Sequence, residues 1–167
     1  GNDNLTGGAG ADSIDGGAGT DMADYFWSAS SVTVDLGAGT GLGGDAAGDV
    51  LINVEDVNGS ALNDLLTGSN LNNVLSGQAG DDTLAGAGGA DSLYGGDGTD
   101  TADYSVSASA VSVNLGLGSG SGGDAQGDVL SAIENVIGSA NDDTLVGDTL
   151  ANNLDGGGGE DSLTGAA

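Results

Sequence analysis

A nine-residue pattern, GGxGxDxUx with U a large apolar residue, recurs along this chain and constrains its fold more than any other feature. Residues 7–15 read GGAGADSID, and further copies fill residues 16–24, 59–103 and 138–164. A short fixed period is typical of solenoids, in which each repeat packs only against its neighbours along the axis. The repeat therefore predicts an elongated, stacked architecture.

Each nonapeptide predicts one turn and one short strand. Glycine at positions 1, 2 and 4 permits positive φ, so the first six residues can form a tight turn. In the last three residues, alternation sends U inward and its neighbours outward. Two nonapeptides then make one coil with a parallel strand on each side, and about nine coils would span about 45 Å. The predicted inward residues are Ile14, Leu66, Leu75, Leu84, Leu93, Leu145, Leu154 and Leu163.

The nonapeptides form three arrays, 1–24, 59–103 and 138–167, separated by 34-residue spacers at 25–58 and 104–137. Residues 16–88 match residues 95–167 at 42 of 73 positions without a gap. The chain is thus a duplicated unit of 79 residues. We expect arrays and spacers to form a single continuous all-β solenoid over residues 1–167.

The spacers carry their own apolar pattern. Alternating Val32, Val34 and Leu36 predict one strand in the first spacer, and Val111, Val113 and Leu115 predict one in the second. Leu51, Val54 and Val57 recur at a spacing of three, which suits solenoid corners better than a strand. Residues 25–27, Tyr-Phe-Trp, are the only aromatic cluster, and we expect local packing rather than a sugar-stacking platform.

Charge decides what such a stack can bind. The sequence has no Lys, Arg or His and a formal charge of −26, so it repels nucleic acid and anionic membranes and attracts cations. Position 6 Asp residues one coil apart, such as Asp64 and Asp82, would face each other with like charge. At about 5 Å each such contact costs roughly 1 kcal/mol in water and roughly 3 kcal/mol at an intermediate dielectric. Ca²⁺, a hard cation with oxygen ligands, would reverse the sign of that energy. The alternative is that these Asp residues only form Asx turns.

These glycine and aspartate positions resemble the RTX family of calcium-binding repeat proteins. The resemblance implies a right-handed parallel β-roll with Ca²⁺ held between stacked turns, export by a type I secretion system, and folding outside the cell. The position 6 residues that it marks as ligands are Asp3, Asp12, Asp21, Asp64, Asp82, Asp91, Asp100, Asp143 and Asp161.

Some turns depart from the pattern. Asn73 and Asn152 stand at position 6, and position 4 carries Leu62, Leu71, Asn141 and Leu150 in place of glycine. We expect those turns to bind calcium weakly or not at all. Each spacer also contains GGDAxGD, in which Asp45 and Asp49, or Asp124 and Asp128, lie four residues apart. These pairs fit either a second type of calcium loop or a solvated acidic turn.

The residue inventory argues against an enzyme. Without His, Lys, Arg or Cys the chain has no imidazole base, thiol nucleophile, Schiff-base amine or phosphate clamp. Asp pairs recur as periodic turn chemistry rather than as one singular site. No apolar run approaches the roughly 20 residues of a membrane-spanning helix, so we expect no membrane insertion.

Three classes of function remain. The first is a calcium-dependent structural module, such as a stalk, surface-layer or filament segment of a large secreted bacterial protein, and we favour it. The second is an accessory domain that aids export and folding of a secreted enzyme, and the third is an ice- or glycan-binding solenoid. Residues 165–167 fit positions 1–3 of a nonapeptide and residues 1–6 fit positions 4–9. We therefore expect the chain to be one tile of a longer array, joined covalently or by head-to-tail association.

Overall fold

The computed structural model describes residues 1–165, which form two sheets of short strands. The last two alanines, on which the tail-to-head phase match partly depends, lie outside the described residues. The strands are β1 (Asn4–Leu5), β2 (Ser13–Asp15), β3 (Met22–Asp24), β4 (Thr33–Asp35), β5 (Thr40–Leu42), β6 (Val50–Ile52), β7 (Asp56–Asn58), β8 (Leu65–Thr67), β9 (Val74–Ala79), β10 (Thr83–Ala85), β11 (Ser92–Asp97), β12 (Thr101–Asp103), β13 (Ser112–Asn114), β14 (Ser119–Ser121), β15 (Val129–Ser131), β16 (Asn135–Ile137), β17 (Thr144–Val146), β18 (Asn153–Asp155) and β19 (Ser162–Thr164).

Outside the spacers, successive strands alternate between the two sheets, as a roll requires. The first sheet has ten strands in the order β1-β3-β7-β9-β11-β15-β14-β13-β17-β19, and the second has nine in the order β18-β16-β12-β10-β8-β4-β5-β6-β2. Within the arrays, neighbouring strands are parallel and one coil apart, so Leu66 lies beside Leu84 and Leu75 beside Leu93. The predicted all-β parallel β-roll with an 18-residue coil is confirmed.

The U residues form the core, because alternation turns the middle residue of each three-residue strand inward. Leu66, Leu75, Leu84, Leu93 and Leu145 are fully buried. Within β9 the inward residue is Leu75 and not Val74, as the register predicts. Leu163 is in register with the buried Leu145 but is 48% exposed, because β19 is the outermost strand of its sheet within the described residues.

The spacers contain more strands than predicted. Val34 and Val113 lie in β4 and β13 and are buried, as the alternation indicates. Each of these strands then pairs antiparallel with the next, and that strand pairs antiparallel with a third, giving β4-β5-β6 and β13-β14-β15. Leu51 and Val57 are buried within strands, so the corner interpretation holds only for Val54 between them. The spacer is thus an antiparallel insertion in an otherwise parallel stack.

The two spacers lie on opposite sheets although their sequences align without a gap. The strands β4, β5 and β6 belong to the nine-stranded sheet, and β13, β14 and β15 belong to the ten-stranded sheet. The intervening array has five nonapeptides, an odd number, and each nonapeptide moves the chain from one sheet to the other. An odd count therefore places the second insertion on the opposite side of the roll.

The aromatic cluster divides between core and surface. Tyr25 and its counterpart Tyr104 are buried, so within the cluster the expectation of local packing is met by Tyr25 alone. Trp27 is 82% exposed and stacks edge-to-face on Phe26, with ring centroids 4.9 Å apart. Among residues 1–165, no helix has the length and apolarity needed to cross a membrane.

Candidate metal centre

Each position 6 residue immediately precedes a strand, and so do four acidic residues of the spacers. Together these residues stack in two columns of turns, one along each sheet. We call these the first and second turn columns. The first contains Asp3, Asp21, Glu55, Asn73, Asp91, Asp128, Asp143 and Asp161, each just before a strand of the ten-stranded sheet. The second contains Asp12, Asp49, Asp64, Asp82, Asp100, Glu134 and Asn152, each just before a strand of the nine-stranded sheet. All nine predicted position 6 Asp residues therefore lie in the columns.

Hydrogen bonds join neighbouring coils within each turn column. The backbone N–H of Asp64 donates to Oδ1 of Asp82 at 2.7 Å, and the N–H of Asp82 donates to Oδ1 of Asp100 at 2.8 Å. The N–H of Asp3 donates in the same way to Asp21 at 2.7 Å. Oδ1 of each acceptor thus binds the backbone of the neighbouring coil. The second oxygen, Oδ2, takes no part in these bonds.

Among residues 1–165, five of these residues have an Oδ2 atom that is buried and has no hydrogen-bond partner. The five are Asp12, Asp21, Asp82, Asp91 and Asp100. A buried carboxylate oxygen without a partner is costly, and the sequence contains no cationic side chain that could neutralise it. These five atoms are the strongest indication in the structure of where a cation would bind.

The electrostatics of the protein without metal agree with this. Burial raises the pKa of Asp82 from 3.8 to about 6, a shift that a backbone hydrogen bond opposes and that the charges of Asp64, Asp100 and Asp81 increase. Burial likewise raises the pKa of Asp91 to about 7, with a further increase from the carboxylates of the following spacer. The like-charge repulsion expected from the sequence is therefore present, with desolvation as the larger cause.

The glycine at position 1 makes room for the carboxylate. A Cβ on Gly77 would overlap Oδ2 of Asp82 and lie 2.8 Å from the carbonyl oxygen of Gly95 in the next coil. Positive φ occurs at positions 2 and 4, as at Gly8 (φ 79°) and Gly10 (φ 134°), but position 1 does not adopt it. The expectation of positive φ at position 1 is therefore wrong. Glycine stands there because the space beside its Cα holds a carboxylate oxygen and a carbonyl oxygen.

This arrangement determines which ligands a cation could have. Within the described residues, no three acidic side chains converge closely enough to hold a metal by themselves. The turns instead bring one carboxylate oxygen beside carbonyl oxygens of the neighbouring coil, as at Gly77 and Gly95. Ca²⁺ accepts six to eight oxygen ligands and takes carbonyls readily. The donor set therefore fits Ca²⁺ better than a metal that requires nitrogen or sulfur ligands.

Two turns with serine at position 2 satisfy the carboxylate of their own position 6 aspartate. The N–H of Ser60 donates to Oδ2 of Asp64 at 2.5 Å, and Ser60 Oγ donates to Oδ1 at 2.9 Å. Ser139 makes the equivalent pair of bonds to Asp143. These turns also lack glycine at position 4. Their carboxylates have partners already, so these turns show no need for a cation.

The spacer aspartates divide into two kinds. Asp49 and Asp128 are 2% exposed and stand in the turn columns, where they accept N–H bonds from Asp12 and Asp91. Their second oxygens accept the hydroxyl hydrogen of a buried tyrosine, at 3.0 Å in Tyr25–Asp49 and 2.9 Å in Tyr104–Asp128. Burial, together with the adjacent carboxylate, raises the pKa of both tyrosines.

The other member of each spacer pair lies outside the columns. Asp45 and Asp124 are half-buried in three-residue 3-10 segments, Gly44–Ala46 and Gly123–Ala125, where their N–H groups donate to serine hydroxyls at 3.0 Å. Four residues of separation therefore place the two members of each pair in different environments.

Two column residues were missed at the level of sequence. Glu55 accepts the N–H of Asp21 at 2.9 Å, and Glu134 accepts the N–H of Asp100 at 2.8 Å, each through Oε2. The sequence does contain a sign of their role, because Glu55 and Glu134 are two of only three glutamates and occupy equivalent positions in the two copies of the 79-residue unit. Both lie outside the nonapeptide pattern, which therefore does not predict them.

The same glutamates explain the asparagines at position 6. Asn73 follows Glu55 in the first column and Asn152 follows Glu134 in the second. Each asparagine Nδ2 donates to the backbone carbonyl of the preceding glutamate, at 2.5 Å and 3.1 Å respectively. An aspartate carboxylate could not donate this bond and would repel that carbonyl. The substitution therefore fits the position that it occupies.

Comparison with known families agrees with the repeat and its turn geometry. A family model described as the RTX calcium-binding nonapeptide repeat matches residues 1–24, 67–102 and 137–167 in four copies, more than half of the chain. The match leaves out most of both spacers. No curated protein matches the chain.

Proposed function

The chain belongs to the family of RTX calcium-binding nonapeptide repeats, and on this premise we propose that it is a structural module that folds when it binds extracellular Ca²⁺. The sites would be formed by residues of successive coils, which come together only in the folded stack. Metal binding and folding are then a single coupled process. Repulsion within a chain of charge −26 opposes compaction until cations bind.

The observation that carries this proposal is the set of five buried, unpartnered Oδ2 atoms. We propose that Asp12, Asp21, Asp82, Asp91 and Asp100 hold Ca²⁺ together with carbonyl oxygens of adjacent turns. Asp64 and Asp143 are weaker candidates because Ser60 and Ser139 occupy both of their oxygens.

The remaining predicted ligands have different roles in this proposal. Asp49 and Asp128 serve mainly to anchor the tyrosines. We assign no ligand role to Asp45 and Asp124, because they lie outside the turn columns. Asp3 and Asp161 complete the outermost turns of the first column, where a cation would be more accessible to solvent than in the interior.

A structural role is favoured over an accessory role or ice and glycan binding. Strands of every array and both spacers join the same two sheets, which supports one continuous solenoid over residues 1–167. The outward strand residues include Val50, Leu65 and Tyr94 rather than an aligned threonine row. We propose a repeating segment of a secreted bacterial protein, exported by type I secretion and placed outside the cell or on its surface. We propose no catalytic activity, because the acidic residues serve periodic turn geometry.

Calcium titration tests the proposed function. We expect several ions per chain, bound cooperatively because neighbouring coils share turns, with dissociation constants of about 10⁻⁴ to 10⁻³ M typical of extracellular modules. Equilibrium dialysis against radioactive calcium gives the number of ions, and calorimetry gives the shape of the isotherm. The absence of binding at about 10⁻² M calcium, far above this range, would contradict the proposal.

We also propose that the roll associates end to end with identical units. The support is that β1 and β2 at one end, and β18 and β19 at the other, each have one strand neighbour within the described residues. Free strand edges are templates for further pairing. Light scattering should show a calcium-dependent rise in mass with protein concentration. A species that stays monomeric at the highest attainable concentration would argue against association.

A further inference from the structure

Each spacer contributes one glutamate to a turn column, at a place where the nonapeptide pattern would supply the next aspartate. The family match leaves both glutamates out, because it skips residues 25–66 and 103–136. Glu55 nevertheless accepts the N–H of Asp21 through Oε2 at 2.9 Å, as a position 6 aspartate does elsewhere. Glu134 does the same for Asp100 at 2.8 Å. The columns thus continue from array to spacer.

The aspartate facing each glutamate has an unsatisfied buried oxygen. Asp21 and Asp100 are both 0% exposed, and Oδ2 of each has no hydrogen-bond partner within the described residues. Oδ1 of Asp100 receives the N–H of Asp82, so only Oδ2 is free. Burial raises the pKa of Asp100, and the charge of Glu134 adds to that shift. Two acidic groups therefore meet here without a counter-charge.

A backbone carbonyl of each spacer lies against the same aspartate. A Cβ on Gly16 would overlap the carbonyl oxygen of Asn53 and lie 2.8 Å from Oδ2 of Asp21. A Cβ on Gly95 would overlap the carbonyl oxygen of Ala132 and lie 2.5 Å from Oδ2 of Asp100. The two carbonyl-bearing residues share a left-handed backbone, with φ of 51° and 52°. Both spacers therefore present a carbonyl to a buried carboxylate in the same way.

We propose that each spacer completes a divalent-cation site, formed by Asp21, Glu55 and the Asn53 carbonyl in the first copy and by Asp100, Glu134 and the Ala132 carbonyl in the second. This inference rests on the proposed function, since it assigns further ligands to a calcium-binding roll. Two carboxylates and a carbonyl form an all-oxygen donor set suited to Ca²⁺. The cation would join the end of an array to the spacer that follows it.

The next residue along each turn column, an asparagine, limits the site to one side of the glutamate. Asn73 and Asn152 direct a side-chain amide, and no charge, at the carbonyls of Glu55 and Glu134. Their own Oδ1 atoms accept turn N–H groups, from Ser69 at 2.6 Å in the first copy. The asparagines bring no carboxylate to that side, so the cation would lie between the aspartate and the glutamate.

Isosteric substitution of the glutamates tests this site. Glutamine keeps an acceptor for the N–H of the aspartate and removes the charge, so Glu55→Gln and Glu134→Gln should preserve the columns. At saturating calcium we expect each variant to bind one ion fewer than the parent and the double variant to bind two fewer, by equilibrium dialysis. Glu160→Gln is the matched control, because Glu160 is exposed, and it should leave the ion count unchanged.

The outcomes separate this inference from the proposed function. If the parent binds calcium and both glutamine variants retain the full ion count, the spacer sites are refuted while the calcium-binding roll stands. If the parent binds no calcium, the proposed function itself fails. Crystals of the parent soaked in Tb³⁺ give a test that needs no variant. An anomalous peak between Asp100 and the Ala132 carbonyl would support the site, and peaks confined to the glycine-rich turns would overturn it.

Discussion

Removal of calcium at pH 8 is expected to abolish the β-sheet circular dichroism of this chain. Without a cation, Asp82, Asp91 and Asp100 each keep a buried carboxylate oxygen that has no partner within the described residues. The chain has no Lys, Arg or His side chain to neutralise them. Each pair of like charges about 5 Å apart costs roughly 3 kcal/mol at an intermediate dielectric. A small domain is stable by only about 5–15 kcal/mol, so a few such contacts suffice to unfold it.

The same physics predicts partial refolding on acidification of the metal-free chain. Burial raises the pKa of Asp82 from 3.8 to about 6 and that of Asp91 to about 7. A raised folded-state pKa means that protonation stabilises the fold below the unfolded value, and this stabilisation is lost as pH rises through the folded value. Metal-free protein brought from pH 8 to pH 5 should therefore regain part of its β-sheet signal.

The measurement is far-UV circular dichroism on protein freed of metal by a chelating resin, since soluble chelators lose their calcium affinity in acid. Calcium added back at pH 8 should restore the spectrum. Magnesium should restore it poorly, because Mg²⁺ demands octahedral geometry and retains its waters. A β-sheet spectrum that persists at pH 8 without metal would refute calcium-coupled folding. A signal that weakens further on acidification would contradict the sign of the pKa shifts.

Alanine at position 1 is expected to destabilise the roll, whereas alanine two residues later in the same turn is not. A Cβ on Gly86 would overlap Oδ2 of Asp91 and lie 2.9 Å from its Cγ. A Cβ on Gly88 would meet nothing closer than Oδ1 of Asn70, at 3.4 Å. Neither glycine has positive φ, so the two variants differ in available space and not in backbone strain.

We expect Gly86→Ala to cost about 1–3 kcal/mol of unfolding free energy through overpacking. It should also weaken calcium binding, because the displaced oxygen of Asp91 is one of the proposed ligands. Gly88→Ala should be neutral or stabilising by up to about 1 kcal/mol, since alanine restricts the unfolded chain. Urea unfolding at saturating calcium compares the two. Equal midpoints for Gly86→Ala and Gly88→Ala would show that the carboxylate does not need the space beside position 1.

The role of glycine illustrates how far pattern reasoning extends. Conformational freedom correctly accounts for positions 2 and 4, as at Gly17 and Gly19, where φ is positive. It fails at position 1, because the constraint on Gly16 is the carboxylate of Asp21 and a carbonyl from a residue far along the chain. A local rule describes backbone angles within a turn. It cannot describe an atom that arrives from the next coil.

The sequence alone determined the all-β class, the 18-residue coil, the inward leucines and a formal charge of −26 that attracts cations. Each follows from a period or a composition, which are local or global properties of the chain. Only the tertiary structure decided which carboxylates remain unsatisfied. Asp64 and Asp82 occupy the same position of the same motif, yet Ser60 satisfies the second oxygen of Asp64 and that of Asp82 has no partner.

The tertiary structure likewise decided the course of the spacers. It formed antiparallel insertions, placed them on opposite sheets and brought Glu55 and Glu134 into the turn columns. The physical reason is that the partner of a column residue is 18 residues away in an array but 34 or 37 residues away across a spacer, as in Asp82–Asp100, Asp21–Glu55 and Asp12–Asp49. The nonapeptide period encodes the first of these distances. The other two exist only after the spacer has folded and returned the chain to the stack.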